Sequence, residues 1–597
     1  MGSSGHPGFE DVRAGPSSGN GQDARQDVTL DTLIEQAARD YRVAYRPAII
    51  EAMSDLKSSD LERFVLLYGQ LKKIRGFSAT LFNQAIGQLE RSRSSGGPGV
   101  DPSEVLLGIV GGFSGFRTDS DVVFFDVDVD DHRETLRAHS NRLVSRVRAL
   151  YFGCTGGRSV STDAVKTAID TIAARVEWTG PSRPVFYRIG ADDAGNLYLD
   201  LHRDDWSYVK ITPDGWQVCQ RPALGRIAPE DAPALDMPVR FLHSRNALPL
   251  PIPQHGGSID ALRKFLTQRE DHFEDEITFT LVVGWLVGAL HPRGPYPGLG
   301  LGGAPGSGKT TMLRLARRLI DPNRAIARSV PRNERDLAIA ASRSFIQSAD
   351  NLSNISHELS DAMCRLSTGG GLATRTLYSD DEETVFDNCR PIILTAIAEV
   401  VTRPDLADRF ISLILPARES ANRRPDAAIE EDFQAAWPFI LGALLTAASA
   451  GLRRLPDMPV PEDLPRMAGF AQWVTACEPG LGWEPGTFLR AYHENIKAVA
   501  NTVMEADPIA FAIVKWAAGF PKDQPSWTGT AEEALAKINA VAGHAAQSSK
   551  NWPRSARGLV NRLRTLAPFL TRFGVAAASG PLLHGRTQWI ITQGEPG

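Results

Sequence analysis

Within LGLGGAPGSGKTT, residues 299–311, Gly303, Gly308, Lys309 and Thr310 satisfy the spacing G-x-x-x-x-G-K-[ST]. That spacing is the pattern of a phosphate-binding loop. Gly303, Ala304, Pro305, Gly306, Ser307 and Gly308 offer backbone N–H groups that can turn inward around phosphate oxygens. Lys309 offers the compensating charge, the Thr310 hydroxyl can ligate Mg²⁺, and Thr311 completes the set. Three stretches downstream carry further polar chemistry. In SRSFIQSADNLSNIS, Asp350 ends a β-like segment at the distance where a carboxylate would hold Mg²⁺ through water. Asn351 follows it. An amide cannot accept a proton, so Asn351 can only orient a water, unless Glu358 or Asp361 supplies the base. In CRPIILTAI the apolar run ends at Thr395, which suits a hydroxyl sensing the terminal phosphate. TRPDLADRFISLILP then brings Arg403 and Arg409. Arg409 is the first choice for an arginine finger acting across a subunit boundary, with Arg403 in reserve.

These residues need a strand, a loop and a helix to position them. The Gly-rich approach GLGLGG reads as the strand, and MLRLARRLI as the helix, with Leu313, Ala316, Leu319 and Ile320 at helical spacing. Ahead of it, ITFTLVVGWLVGAL (277–290) is too short to span a bilayer and is expected to be a buried helix. Around this centre the chain divides by composition. Residues 1–28 are rich in Gly, Ser and Pro and are expected to be a disordered tail without export signal. Residues 29–100 carry helical patterns, ending at the breaker run RSRSSGGPGVDP. Residues 103–255 alternate β-formers and turn residues, as an α+β accessory domain would. The loop and its partners occupy 256–416, a helical connector 417–530, and a final module 531–597. In VVFFDVDVDDH, Asp126, Asp128, Asp130 and Asp131 read as an acidic strand end, with metal ligation as the alternative.

The net charge of −5 hides an asymmetry. From Ala534 to Gly594 there is no Asp or Glu, while Arg554, Arg557, Arg562, Arg564 and Arg586 all fall there. Leu559, Leu563, Leu566, Leu570 and Phe573 recur at three- and four-residue steps among those arginines. One basic amphipathic helix is therefore expected, bent near Pro568, with a hairpin after it: the outline of a winged-helix-like DNA-binding module. Five cysteines without C-x-x-C spacing point to neither a zinc site nor a disulfide framework, and so to a reducing, cytoplasmic setting.

Taken together, GGAPGSGKTT (302–311), ADNLSNIS (349–356), LSTGGGLATRTLYSDDEE (366–383) and RPIILTAIAEVVTRPDLADR (390–409) carry a family resemblance. So do YLDLHRDDWSYVKITPDGW (198–216) and PVRFLHSRNALPLPIP (238–253). The run from about 121 to 416 resembles the AAA+ ATPases of phages, plasmids and integrated elements related to poxvirus-type primase-helicases and superfamily III helicases. The resemblance implies an α/β protein with a central P-loop AAA+ domain, binding ATP and Mg²⁺ and assembling as a homo-hexameric ring on DNA. It implies that Arg375, in TGGGLATR, lies near the ring's channel. Two residues depart from the pattern: Asn351 stands where many relatives have Glu, and Thr395 where Asn is usual. No TOPRIM-like or complete primase domain precedes the ATPase, so a separate primase is the expected partner and no membrane is. The function expected is a DNA helicase or translocase in replication of a mobile element. The alternatives are a DNA-bound ATPase switch, in phage defence or element control, and a nucleotide-binding regulator or scaffold that scarcely hydrolyses.

Overall fold

The computed structural model describes residues 30–594, apart from 31, 75, 80, 84, 87–88, 90–100, 130–131, 221–237, 268–274, 328–330, 353–355, 371, 376–382, 387–388, 398–408, 418–425, 462, 550–551 and 584–585. Arg403, Asp130, Asp131 and the N-terminal tail lie outside the described residues. The chain separates into two units, 1–105 and 106–597.

In the first unit, α1 (Leu33–Arg39), α2 (Pro47–Ser59) and α3 (Leu61–Leu71) follow the helical spacing of their apolar residues. Pro47 opens α2, where its missing N–H costs nothing. Asp60 caps α3 by accepting from Arg63 N at 3.1 Å. Leu33, Ile49, Met53, Leu71 and Phe82 close the core between them.

The second unit is mixed α/β and begins with an antiparallel meander, β1 (Ser114–Arg117), β2 (Val123–Val129) and β3 (His132–Arg137), followed by α4 (Asn141–Cys154) and α5 (Thr162–Thr179). Next come β4 (Val185–Phe186), β5 (Ile189–Ala191), β6 (Leu197–Asp200), β7 (Tyr208–Thr212), β8 (Gly215–Cys219) and β9 (Arg240–Phe241). Strands β5 to β8 form a second antiparallel meander, and β4 pairs in parallel with β9. Asp126, on β2, is buried between Arg240 Nε and Thr135 Oγ1, each at 2.7 Å, and Asp128 accepts from Arg133 at 2.9 Å. Both carboxylates are thus structural partners of arginine, as an acidic strand end requires.

Two helices, α6 (Arg263–Thr267) and α7 (Glu276–Ala289), lead into the third sheet. Every residue of α7 from Thr278 to Ala289 is buried, as expected of a helix apolar all round. The third sheet contains β10 (Gly298–Gly303), β11 (Gln347–Leu352), β14 (Ile392–Ala396) and β15 (Phe410–Leu415), all parallel, in the order β11-β14-β10-β15. Its connections are α8 (Lys309–Ile320), α9 (Glu334–Ala341), α10 (His357–Thr368) and an antiparallel arm of β12 (Leu372–Arg375) and β13 (Glu383–Phe386). Strand β10 lacks charge and is buried on both faces, as a central parallel strand must be. The edge strand β15 is closed by one side chain: Asn495 accepts from Ser412 N at 3.2 Å and donates to Ser412 O at 2.8 Å.

That asparagine sits in a helical layer of α11 (Asp426–Arg454), α12 (Ala468–Leu481), α13 (Thr487–Ala506) and α14 (Pro508–Ala517). Helix α11 is long and apolar enough to cross a membrane, yet Phe433, Ile440, Leu444 and Ala448 on it are buried in the protein core. The same core takes in Leu199, Val209 and Ile211 of the second meander and Leu299 and Leu301 of β10. Trp216 Nε1 donates to Thr446 Oγ1 at 3.1 Å, and Ser449 Oγ to Thr212 O at 2.7 Å, fixing β7 and β8 against α11. The compositional break near residue 255 is therefore not a break in packing. The chain ends with β16 (Ser526–Thr530), α15 (Ala531–Val541), α16 (Ala556–Leu570), β17 (Val575–Leu583) and β18 (Arg586–Gln593), the strands ordered β16-β18-β17.

Candidate active site

The phosphate-loop sequence lies between β10 and α8, at the carboxyl end of the parallel sheet, where open α/β sheets place ligands. Gly303 has φ +139°, and a Cβ there would lie 2.5 Å from Leu415 O on the neighbouring strand. Gly308 caps α8 at φ +89°, in the left-handed region that glycine occupies without strain. Between them, Ser307 N donates to Ala304 O at 3.2 Å and tightens the turn. Lys309 folds back over the loop: Nζ donates to Gly303 O at 2.7 Å and Ala304 O at 2.8 Å, and lies 3.4 Å from Ser307 Oγ. Burial pulls this ammonium below its ordinary pKa, while Asp350 opposes the shift. A cation and a helix N-terminus therefore face one loop of backbone amides, a fit for phosphate.

Strand β14 lies between β10 and β11, and this order brings Thr310, Asp350 and Thr395 together. Thr310 Oγ1 is 3.0 Å from Asp350 Oδ1 and 3.2 Å from Oδ2. From the other side, Thr395 Oγ1 donates to Asp350 Oδ1 at 2.5 Å. Thr395 in turn accepts the Asn351 N–H at 2.8 Å. Asn351 stands at φ +60°, where the register between β11 and β14 shifts, and its side chain is exposed. Asn tolerates that conformation better than most residues. Asp350 with Thr310 thus makes the hydroxyl–carboxylate pair suited to Mg²⁺. Glu358 and Asp361 are exposed on α10. Arg409 immediately precedes β15, its carbonyl accepting Gly298 N at 2.8 Å. Its side chain is half-buried, and Nε is buried without a hydrogen-bond partner.

Of the basic residues, Arg375 is on β12, opposite Glu383 in the arm. Arg554, Arg557 and Arg564 are exposed before and along α16. Arg562 and Arg586 are spoken for: Arg562 donates to Asp507, the N-cap of α14, and Arg586 pairs with Glu532 at 3.1 Å. The acids that engage them lie outside the acid-free stretch, and only folding brings them near. These two arginines are therefore structural partners in this arrangement, and the open basic face is Arg554, Arg557 and Arg564.

Residues 266–497 match the family model described as actinomycete integrative conjugative element replication protein. Residues 509–594 match that of the AICE RepA C-terminal domain. The chain is similar to replication proteins of these mobile elements. No curated protein matches it. Solved structures of the NrS-1 C-terminal region align weakly. An A-form apo structure has 10% identity and a TM-score of 0.34, covering 83% of this chain and 99% of that one. Another apo structure has 11% identity and a TM-score of 0.35, covering 83% and 100%.

The gap between the two matched stretches, 498–508, runs through the second half of α13 to Asp507, the cap of α14, which binds Arg562 of the second stretch. Sequence reasoning missed β16, a short run with only Trp527 as a bulky apolar residue, whose pairing with β18 is settled by the fold. It also missed the hydrogen bonds that draw Thr395 to Asp350. An apolar run ending in Thr marks the strand but not its neighbour.

Proposed function

We propose that the chain binds ATP with Mg²⁺ and couples its hydrolysis to movement along DNA, as a helicase or translocase, during replication of an actinomycete mobile element. The observation that carries this reading is the convergence of Lys309, Thr310 and Asp350 at the carboxyl ends of adjacent parallel strands. Bound nucleotide would supply the phosphoanhydride whose cleavage drives the cycle. The chain's own residues do the rest: the loop amides and Lys309 bind phosphate, and Thr310 and Asp350 hold the metal. Thr395 fixes the carboxylate, and Asn351 orients a water. The similarity to element replication proteins supports the biological setting. An AAA+ type of ring, six subunits by the resemblance, is part of the proposal, with Arg409 reaching a neighbour's nucleotide. A separate primase would supply priming, and the cytoplasm is the proposed setting.

A second reading, a DNA-bound ATPase switch that does not unwind, is favoured by one observation: an exposed amide at Asn351 instead of a carboxylate. The two separate in one experiment. Wild type and Lys309→Ala are compared for ATP hydrolysis and for strand displacement on a forked duplex. The proposal expects both activities in the wild type and neither in the variant, which should remain folded. Hydrolysis without displacement selects the switch, and undiminished hydrolysis in Lys309→Ala removes the loop from the chemistry.

A further inference from the structure

Two stretches singled out in the sequence, 198–216 and 238–253, have no part in the nucleotide chemistry. In the fold they meet. Asp200 ends β6, His202 follows it, and His243 lies two residues beyond β9. One donor atom from each lies within 4.8 Å of the others. Asp200 is buried, and its two oxygens are divided between tasks: Oδ1 accepts the His202 backbone N–H at 3.2 Å, leaving Oδ2 toward both imidazoles. His243 Nε2 is 3.0 Å from Oδ2 and His202 Nδ1 is 3.9 Å from it. The Nε2 atom is buried, yet it makes no well-directed hydrogen bond.

The rings are held from behind. Trp206 stacks on His243 with centroids 4.4 Å apart and planes 13° apart, and His132 also stacks on Trp206 at 4.0 Å. The Arg188 guanidinium donates to Asp200 O at 3.1 Å and fixes the end of β6. His202 and Trp206 both have left-handed backbone, at φ +52° and +54°, so the loop between them is coiled to turn these side chains inward. Rigid support of this kind is what outer partners give a metal centre.

We propose that Asp200, His202 and His243 bind a divalent transition ion of the zinc class, separate from the Mg²⁺ of the nucleotide site. Two imidazoles and one carboxylate suit Zn²⁺ and its neighbours, whereas Mg²⁺ and Ca²⁺ prefer all-oxygen shells. Bonds of about 2.0–2.1 Å require the donors to close by roughly 1 Å from their present spread, within reach of side-chain rotation. Three protein ligands leave a fourth position open. His243 and Trp206 line a cleft of about 1330 Å³ whose wall includes the exposed arginines Arg137, Arg245, Arg293 and Arg343. The open position would therefore take water or a phosphate oxygen.

The test uses the full chain, stripped of metal, and Zn²⁺ measured by equilibrium dialysis against a chelator in excess Mg²⁺. Co²⁺ absorption reports the coordination. One equivalent of Zn²⁺ should survive excess Mg²⁺, and Co²⁺ should show a nitrogen- and oxygen-ligated spectrum. His243→Ala and His202→Asn should each lower affinity by more than the roughly 10–100-fold that loss of an outer partner costs. His202→Asn is the safer of the two for folding, because Asn tolerates the left-handed backbone. His493→Ala, on α13 and bonded to Asp463 O, should change nothing. Failure of the wild type to retain Zn²⁺ against Mg²⁺ overturns the site, as does unchanged retention in a folded His202→Asn or His243→Ala.

Discussion

Asn351 shows how one residue's chemistry depends on its backbone. At φ +60° a Glu would carry a penalty of about 1–2 kcal/mol, so Asn351→Glu mixes strain with chemistry. Asn351→Asp adds the carboxylate with less strain. ATP hydrolysis by Asn351→Asp should be preserved or raised, and a drop of tenfold or more in a steady-state assay would show that the site needs the amide. Thr395→Val should act in the opposite sense. It leaves the Asn351 N–H without its acceptor and Asp350 with Thr310 but without its Thr395 donor, a loss of about 1–3 kcal/mol, and hydrolysis should fall with it. For Arg409, the expectation is that Arg409→Ala binds ATP nearly normally and fails to hydrolyse. Mixing it with Lys309→Ala should restore some turnover, because mixed assemblies contain interfaces with an intact loop facing an intact finger. No recovery in assemblies shown to be mixed would place the arginine's action within its own subunit.

At the scale of elements, the helix that follows the phosphate loop is tied to the long helix α11 by one bidentate pair. Arg318 donates to Glu430 at 2.6 and 2.7 Å while stacking over Phe433 and Trp437. These hydrogen bonds hold the Glu430 carboxyl down at about 2, with burial opposing them. A carboxylate with a depressed folded pKa stabilises the fold above its unfolded value of 4.5, and the contribution is lost as pH falls toward 2. The pair is half-exposed at Glu430, so Glu430→Gln should cost only about 0.5–1 kcal/mol at pH 7. Denaturant midpoints should differ between wild type and variant at pH 7, draw together below pH 4.5 and converge near pH 2. A constant difference would mean that charge is not what the pair contributes. The arginine stack was not legible in the sequence, because Arg318 and Glu430 are separated by three strands of the sheet.

Over the whole molecule, the C-terminal module cannot be treated as an appendage. Leu559, Leu563, Leu566 and Ile591 share one buried core with Leu359 and Met363 of α10 and Leu394 of β14. Deleting the module would strip that core, so DNA affinity is better tested by charge alone. Arg554, Arg557 and Arg564 changed together to Ala should weaken duplex binding and flatten its salt dependence. Each phosphate contact contributes about 0.9 to the slope of log affinity against log salt, so the slope should change by up to about 2.7. An unchanged slope, measured by anisotropy over a salt series, would leave α16 as a solvated face. Near residue 255, where composition changes at Pro-rich PLPIPQHGG, the strands before that run bury their apolar faces in one core with the elements after it.

What the sequence determined by itself was local. The strand, loop and helix around GGAPGSGKTT, the buried helix expected over 277–290 and observed at Glu276–Ala289, the basic amphipathic helix and the hairpin after it are all periodicities or spacings within a few dozen residues. The tertiary structure decided the pairings between distant residues. It set β14 between β10 and β11, and so turned Thr395 into the donor that fixes Asp350. It brought Asp507 and Glu532 to arginines in an acid-free stretch, and gathered Asp200 at the end of β6 with His202 and His243 of two loops. Spacing along a chain fixes which side chains share a face, but strand order and layer packing fix which faces meet.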